Sequence, residues 1–320
     1  MVESFGRDTP YKYKKRWQCR KMRCACYNPD RRRSAEPFSA ILGTRELPYM
    51  RTRPNVRHSG QLKLLLSEIP FLERFRGVPH TVIYAGASPG LHIPRLARMF
   101  PEMRFVLVDP QPSIVDDPRI EVIRGLMTDR LARELAARHG PDTLLVSDVR
   151  VGGAAGETDT EQQARIQNDM QSQMVWHDIL DPVASIFKFR LPWDLEPYTE
   201  YLDGEIHLPV FGKHLTHEAR LVVERGAQRV DYDNGQYERR MAYFNRVQRV
   251  AIYEGGRCYD CTAFRRIIAE YLGGYRGVEA MCRDIERELE QMGRMWAVLT
   301  RRRREFLRAS FYSWRQFRVT

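Results

Sequence analysis

The 320-residue sequence predicts an α/β fold: a doubly wound, mostly parallel sheet with helices on both faces. Three observations carry that expectation. Short β-rich apolar runs alternate with segments of helical periodicity. The first run ends in a glycine turn that opens a helix, and the second ends in an aspartate. The spacing between runs suits crossover connections rather than hairpins.

Each element follows from local pattern. Leu62, Leu65, Leu66 and Ile69 recur at helical spacing from Gln61 onward, and Pro70 is expected to interrupt or kink that helix. Residues 81–86 form the first strand, and Ala87-Ser-Pro-Gly90 turns into a helix that reaches Arg98. Residues 104–109, 120–123, 143–148 and 184–189 are the next four strands, with a helix over 129–138. Between the fourth and fifth strands lie a mobile glycine-rich loop, VGGAAGETDTEQQ, and a helix over about 161–179. Residues 205–211 and 219–224 are expected to form a terminal strand pair. After Tyr237 the chain reads as mostly helical and ends in a long Arg-rich helix over about 277–310. There is no internal repeat.

Composition narrows the function. The chain is 43% hydrophobic and 29% charged, which excludes a wholly disordered or fibrous protein. The formal net charge is +11, a balance that points to an anionic partner. Its distribution is uneven: residues 1–33 carry +8, residues 294–320 carry +7, and the body between them carries −4. Residues 1–46 read as a basic, flexible arm with interleaved aromatics, 47–274 as the main domain, and 275–320 as an Arg-rich helical extension. Arg301 to Arg304 with Phe311, Tyr312, Trp314 and Phe317 combine charge with rings, which suits an RNA backbone or packing on the body. No apolar run is long enough to span a membrane, and the N-terminus lacks the apolar stretch of a secretory signal. Six cysteines in 320 residues suit reduced thiols in an intracellular compartment. The Cys258–Cys261 pair is a lone CxxC; together with Cys24 and Cys26 it is either half of a zinc site or a set of ordinary thiols.

The turn Gly86-Ala-Ser-Pro-Gly90 lacks the third glycine of a dinucleotide fingerprint, so pyrophosphate binding is not supported. Asp109 ends the second strand about twenty residues on, where doubly wound folds place an acid on ribose hydroxyls. This fits an adenosine ligand without phosphates, such as S-adenosylmethionine (AdoMet). The competing reading is a glycine forced by turn geometry and an aspartate capping a loop. Singly, Lys63 reads as a snorkelling helix lysine, Asp148 as a ligand contact or a loop cap, and Glu218 as a solvated acid. Lys188, inside an apolar strand, reads as functional.

Five segments occur together and in order: Gly60-Gln-Leu-Lys-Leu-Leu-Leu66, Tyr84-Ala-Gly-Ala-Ser-Pro-Gly90, Ser147-Asp-Val-Arg150, Asp181-Pro-Val-Ala-Ser-Ile-Phe-Lys188 and Gln236-Tyr-Glu-Arg-Arg-Met-Ala-Tyr-Phe-Asn245. Over about residues 47–272 the chain resembles the poxvirus cap-specific mRNA (nucleoside-2′-O-)-methyltransferases, which also serve as the small regulatory subunit of poly(A) polymerase. The resemblance implies a Rossmann-like AdoMet-dependent methyltransferase fold in a cytoplasmic setting, a viral factory or virion. It implies a Lys-Asp-Lys-Glu tetrad at Lys63, Asp148, Lys188 and Glu218. AdoMet contacts are implied at Gln61, Tyr84, Gly86, Gly90, Asp109, Gln111, Met127 and Asp148, with Gln111 standing where the family has an arginine. The implied partner is capped mRNA, with a poly(A) polymerase catalytic subunit as a further one. For the cap and RNA, the resemblance implies Arg190, Leu191, Pro192, Trp193 and Asp194, together with Thr216, His217, Glu218 and Glu238. Trp193 would stack the cationic N7-methylguanine, and Asp194 and Glu238 would accept from its base edge. Leu215 stands where the family has a second aromatic, so the other side of the stack is assigned to Tyr49.

The implied reaction moves the AdoMet methyl to the ribose 2′-hydroxyl of the first transcribed nucleotide, with Lys188 as the base or steering group. No metal is expected, because the leaving group departs as a neutral thioether. The alternatives are a regulatory subunit that only binds RNA, and an AdoMet enzyme acting on a base nitrogen. The second usually carries an Asn/Asp-Pro-Pro-aromatic motif after the fourth strand, where this chain has Ser147-Asp-Val-Arg150.

Overall fold

In the computed structural model, the described residues are 38–49, 59–78, 80–111, 113, 115, 117–150, 156–193, 196–213, 215–253 and 257–316, with side chains described as far as Arg301. Asp194, Cys19, Cys24, Cys26, most of the N-terminal arm, residues 151–155 of the glycine-rich loop and the side chains of the terminal Arg-aromatic segment lie outside them.

Seven strands form one sheet in the order β3(Ile120–Ile123), β2(Arg104–Val108), β1(Thr81–Ala85), β4(Thr143–Ser147), β5(Ala184–Phe189), β8(Ala219–Glu224) and β7(Glu205–His207). The pairings from β3 across to β5 are parallel, while β8 runs antiparallel to both β5 and β7. This is the Rossmann-like sheet expected from the alternating pattern. Its central strands read as continuous apolar runs because both faces are covered, as a parallel sheet requires. The chain leaves β1 toward β2 on one side and returns to β4 on the other. The carboxyl ends of β1 and β4 therefore meet at a switch point, the usual ligand crevice of such sheets.

Helices α3(Asp129–His139) and α4(Asp159–Leu180) pack together as one group, and α1(Gly60–Glu73), α2(Ile93–Met99), α6(Tyr259–Tyr271) and α7(Val278–Gln316) pack as another. A capping box between Thr158 and Glu161 starts α4 slightly earlier than its periodicity suggests. α1 runs through Pro70 without interruption. The proline stands in the last turn, where it forfeits its own amide's bond to the carbonyl four residues back and the helix ends within a turn. Val278, Cys282, Ile285 and Leu289 anchor the first turns of α7 in the core, and Arg95 and Arg98 of α2 pair with its Glu288.

The structure departs from the sequence pattern in three further places. β7 stops at His207 rather than continuing to Phe211, because Pro209 has no amide to donate and Phe211 turns left-handed at φ 56°. Residues 38–42, expected in the arm, instead extend the sheet edge: Leu42 N donates to Ile206 O at 2.9 Å and Leu208 N to Ala40 O at 2.6 Å. A second, two-stranded sheet of β6(Tyr198–Leu202) and β9(Arg229–Asp233) was not anticipated. β9 has polar residues at alternate positions and a half-buried profile, so its apolar signal is weak. After β9 come α5(Asn234–Tyr243) and a π-helical turn, Phe244–Gln248. Cys258 and Cys261 lie at the start of α6, and no group of three or more metal-ligating side chains occurs among the described residues. No described helix is long and apolar enough to cross a membrane.

Candidate active site

The site begins at the switch point. Gly86 leaves β1 at φ 77°, and a Cβ there would stand 2.9 Å from Val149 N, so the β1 and β4 ends approach too closely for any side chain. Asp148 N donates to Ala85 O at 3.0 Å across that junction. Gly90 closes the turn at φ 62°. Asp109 supports the turn from β2: its two carboxylate oxygens accept from Ser88 N at 3.0 Å and Gln111 N at 2.7 Å. It is thus a loop cap, and each oxygen retains acceptor capacity for a ligand hydroxyl.

A buried polar chain fixes the other wall. The Tyr84 hydroxyl donates to Glu68 Oε1 at 2.7 Å, His92 Nε2 meets Glu68 Oε2 at 2.9 Å, and His92 Nδ1 lies 3.0 Å from Gln61 Oε1. Leu91 N also donates to Gln61 at 2.8 Å. Tyr84 and Gln61, both assigned to a cofactor, therefore spend their side chains on joining α1 to the glycine turn. Tyr84 is 1% exposed, so its backbone is what borders the crevice. Met127 is buried between β3 and α3, and Gln111 is exposed.

The four tetrad residues come together from four elements. Lys63 projects from α1 and forms a direct ion pair with Glu218. Lys188 of β5 lies 3.4 Å from Asp148 and 3.8 Å from Glu218. A fifth member was missed in the sequence. Arg220 of β8 is 4% exposed, donates to Asp148 Oδ1 at 2.6 Å and lies 3.8 Å from Glu218. The register pairs Lys188 directly with Arg220, which brings two cations side by side between two carboxylates. An arginine within the apolar run of 219–224 was the available signal, of the same kind that singled out Lys188.

Charge balance shapes this cluster: three cations face two carboxylates. Burial lowers the Lys63 pKa, and Arg220 and Lys188 add to that against the opposing pull of Glu218 and Asp148. Burial alone would raise Asp148, but Lys188, Arg220 and Lys63 outweigh it and hold the carboxyl at about 2. Glu218 is likewise held well below its usual range, where burial is outweighed first by Lys63. Both acids are ionised at neutral pH, and the cluster carries one surplus positive charge. Release of one lysine proton would neutralise it.

Beyond β5 lies a ring cluster. Trp193 meets His217 with centroids 5.2 Å apart and planes at 66°, and Tyr49 also lies against His217, at 5.1 Å and 43°. The Arg190 guanidinium lies over the Trp193 ring at 4.2 Å. Leu191 and Pro192 are buried and anchor this segment from below. Glu238 is half-buried on α5. Thr216 Oγ1 accepts from Glu218 N at 3.0 Å, and Leu215 turns left-handed at φ 49°.

The loop that carries Thr216 and His217 is held from beneath. Arg249 and Asp260 form a pair only 0% and 1% exposed. Arg249 donates to Lys213 O at 2.6 Å and to Gly212 O, and Asp260 accepts from Phe211 N at 2.8 Å. Asn245, in the π-helical turn, donates to Thr216 O at 2.8 Å, and the Tyr237 hydroxyl to His217 O at 2.5 Å. Two left-handed residues in one short loop are strained, and these four anchors hold them there.

His217 has a measurable consequence. Burial, then Arg190, lowers its pKa from 6.5 to about 4. Between those values the unfolded chain binds the proton and the folded chain does not, so stability falls as pH drops through that window. Denaturant melts from pH 7 to 4 are expected to show this slope, and His217→Gln to flatten it. An unchanged slope in the variant rejects the assignment.

Two curated relatives share this region: the cap-specific mRNA (nucleoside-2′-O-)-methyltransferases of Myxoma virus strains Lausanne and Uriarra. Each is 29% identical over 224 residues, covering 62% of this chain and 64% of theirs. The chain thus spans just under two thirds of the length of these relatives. A looser likeness, at TM-score 0.42 and 13% identity, links 68% of this chain to 38% of bluetongue virus VP4, described as a multifunctional RNA-capping production line; at that score it bears on neither fold nor site. A family model described as poly A polymerase regulatory subunit matches residues 38–265, from the sheet edge through the glycine turn, the charge cluster and the ring cluster to α6. The chain belongs to the poly(A) polymerase regulatory subunit family.

Proposed function

We propose that this chain is an AdoMet-dependent methyltransferase that acts on the 2′-hydroxyl of the first transcribed nucleotide of capped mRNA. The observation that carries this reading is the Lys63–Asp148–Lys188–Glu218 cluster at the switch point, beside the Gly86 turn. The cysteine usage supports the remainder of the proposal, a reducing cytoplasmic setting.

The residues present fit AdoMet. Asp109 keeps acceptor capacity for ribose hydroxyls, the Gly86 turn brings bare backbone to the crevice, and Met127 adds an apolar wall. Bound there, AdoMet supplies an electrophilic methyl on a sulfonium. Asp148 orients Lys188 and would hold a negative charge toward that cation. A 2′-hydroxyl is a very weak acid, and Lys188, once neutral, accepts its proton or steers its lone pair. Lys63 and Glu218 hold the far side of the cluster, and Arg220 keeps Asp148 ionised. Trp193 stacks the methylated guanine, with Glu238 and Asp194 as acceptors for its base edge.

The test is a labelled-AdoMet assay on capped and uncapped RNA with the labelled atom mapped. Label on the ribose oxygen of capped RNA is the expected result. Label on a base nitrogen, or equal labelling of uncapped RNA, overturns the reading. The family description also favours a poly(A) polymerase catalytic subunit as partner; retention of that purified subunit on the immobilised chain tests this second role.

A further inference from the structure

We propose that Arg190 is a resident cation on Trp193, holding the ring face that a methylated guanine takes, and that the two exchange when the cap arrives. This rests on the cap reading above and goes beyond it by naming what the cap must displace.

The guanidinium carbon of Arg190 lies 4.2 Å from the Trp193 ring centroid. A planar, delocalised cation over an indole face is the arrangement the cap reading assigns to N7-methylguanine. Trp193 therefore already holds a group of the charge and shape it is expected to select. His217 meets the same ring with planes at 66° and so does not offer a parallel surface in its place.

Two of the Arg190 donors are poorly served: its Nε and Nη2 are buried and lack an acceptor among the described residues. Burial, then the neighbouring Arg150, pushes its pKa down to about 10. Arg150 Nη2 and Gln163 Nε2 are also buried donors without acceptors among the described residues, and Gln163 Oε1 already accepts from Trp193 N at 3.4 Å. Buried donors without acceptors carry a desolvation penalty that any arriving acceptor relieves. Capped RNA brings both halves of the exchange: a cationic base for the ring, and bridging phosphates for the donors that Arg190 turns toward on leaving it. The resident cation lowers the affinity of every stacking ligand by the same factor. Neutral bases, which stack weakly, are kept off, while the methylated cap retains useful affinity.

A phosphate-free probe isolates the ring competition. Binding of N7-methylguanosine and of guanosine to the full chain is measured by tryptophan fluorescence and calorimetry, for the wild type, Arg190→Met, Arg190→Lys and Trp193→Ala. Arg190→Met removes the competing cation and is expected to tighten N7-methylguanosine binding on the order of fivefold. Arg190→Lys, with a smaller and more strongly hydrated charge, is expected to give a smaller gain. For a cap dinucleotide with its triphosphate, the gain in Arg190→Met is expected to shrink, because donors are lost as well. Unchanged or weaker nucleoside binding in both Arg190 variants overturns the exchange. A wild type that does not distinguish N7-methylguanosine from guanosine, with Trp193→Ala no different, overturns the cap reading instead.

Discussion

Lys188→Ala is expected to abolish methyl transfer to capped RNA while AdoMet binding persists. The side chain stands 3.4 Å from Asp148 and 3.8 Å from Glu218, at the carboxyl edge of the sheet where the hydroxyl must be met. A positioned proton acceptor contributes roughly 10²–10⁴-fold, and no neighbour replaces it. Lys63 is engaged with Glu218, and Arg220 does not lose its proton near neutral pH because Asp148 and Glu218 outweigh its burial. The AdoMet contacts proposed here are the glycine turn, Asp109, Met127 and Asp148; Lys188 is none of them, and Arg220 still holds Asp148 in the variant, so cofactor titration should stay close to the wild type. Near-normal turnover would reject Lys188 as the acting group.

The second large effect lies away from the chemistry. Arg249→Met is expected to destabilise the fold by about 3–5 kcal/mol, because it leaves a fully buried carboxylate without its cation. It also strips Gly212 O and Lys213 O of their donor and frees the loop that carries His217 and Glu218. Asp260→Asn keeps an acceptor for Phe211 N and removes the charge imbalance from the other side, so combining it with Arg249→Met should cost less than the sum of the two. Denaturant unfolding of the two single variants and the double variant measures this coupling. An Arg249→Met protein within about 1 kcal/mol of wild type would show that the pair is not what holds the loop.

The two arginines mark where legibility ended. Lys188 stood out because a charge inside a short apolar strand is conspicuous, and Lys63, Asp148 and Glu218 were placed by the order of the five resembling segments. Arg220 carries the same kind of signal but stands in a run that reads as an ordinary terminal strand. Only the pairing of Lys188 with Arg220 across β5 and β8 makes it part of the cluster. Arg249 gives no signal at all: it follows a π-helical turn, and its partners lie 11 and about 36 residues away in opposite directions along the chain. The small β6–β9 sheet escaped for a related reason. β9 carries charged residues at alternate positions, and the two strands gain their order from pairing with each other.

Several readings changed role once the chain folded. Tyr84 and Gln61 remain at the crevice but direct their side chains into the Glu68–His92 chain. Asp109 caps the turn through both carboxylate oxygens, so the two functions first set against each other for it coexist. Trp193 is covered by Arg190.

By itself, the sequence determined the alternation of strands and helices, the glycine turn at Gly86, and the separation of a basic excess at both ends from a mildly acidic body. Each of these depends on residues close along the chain, through periodicity, backbone conformation or simple counting. The tertiary structure alone decided which charges share one crevice, which cation lies on Trp193, and what holds a loop with two left-handed residues in place. Those are through-space relations, set by strand register and by packing between segments far apart in sequence, where Coulomb and burial energies depend on distance rather than on chain order.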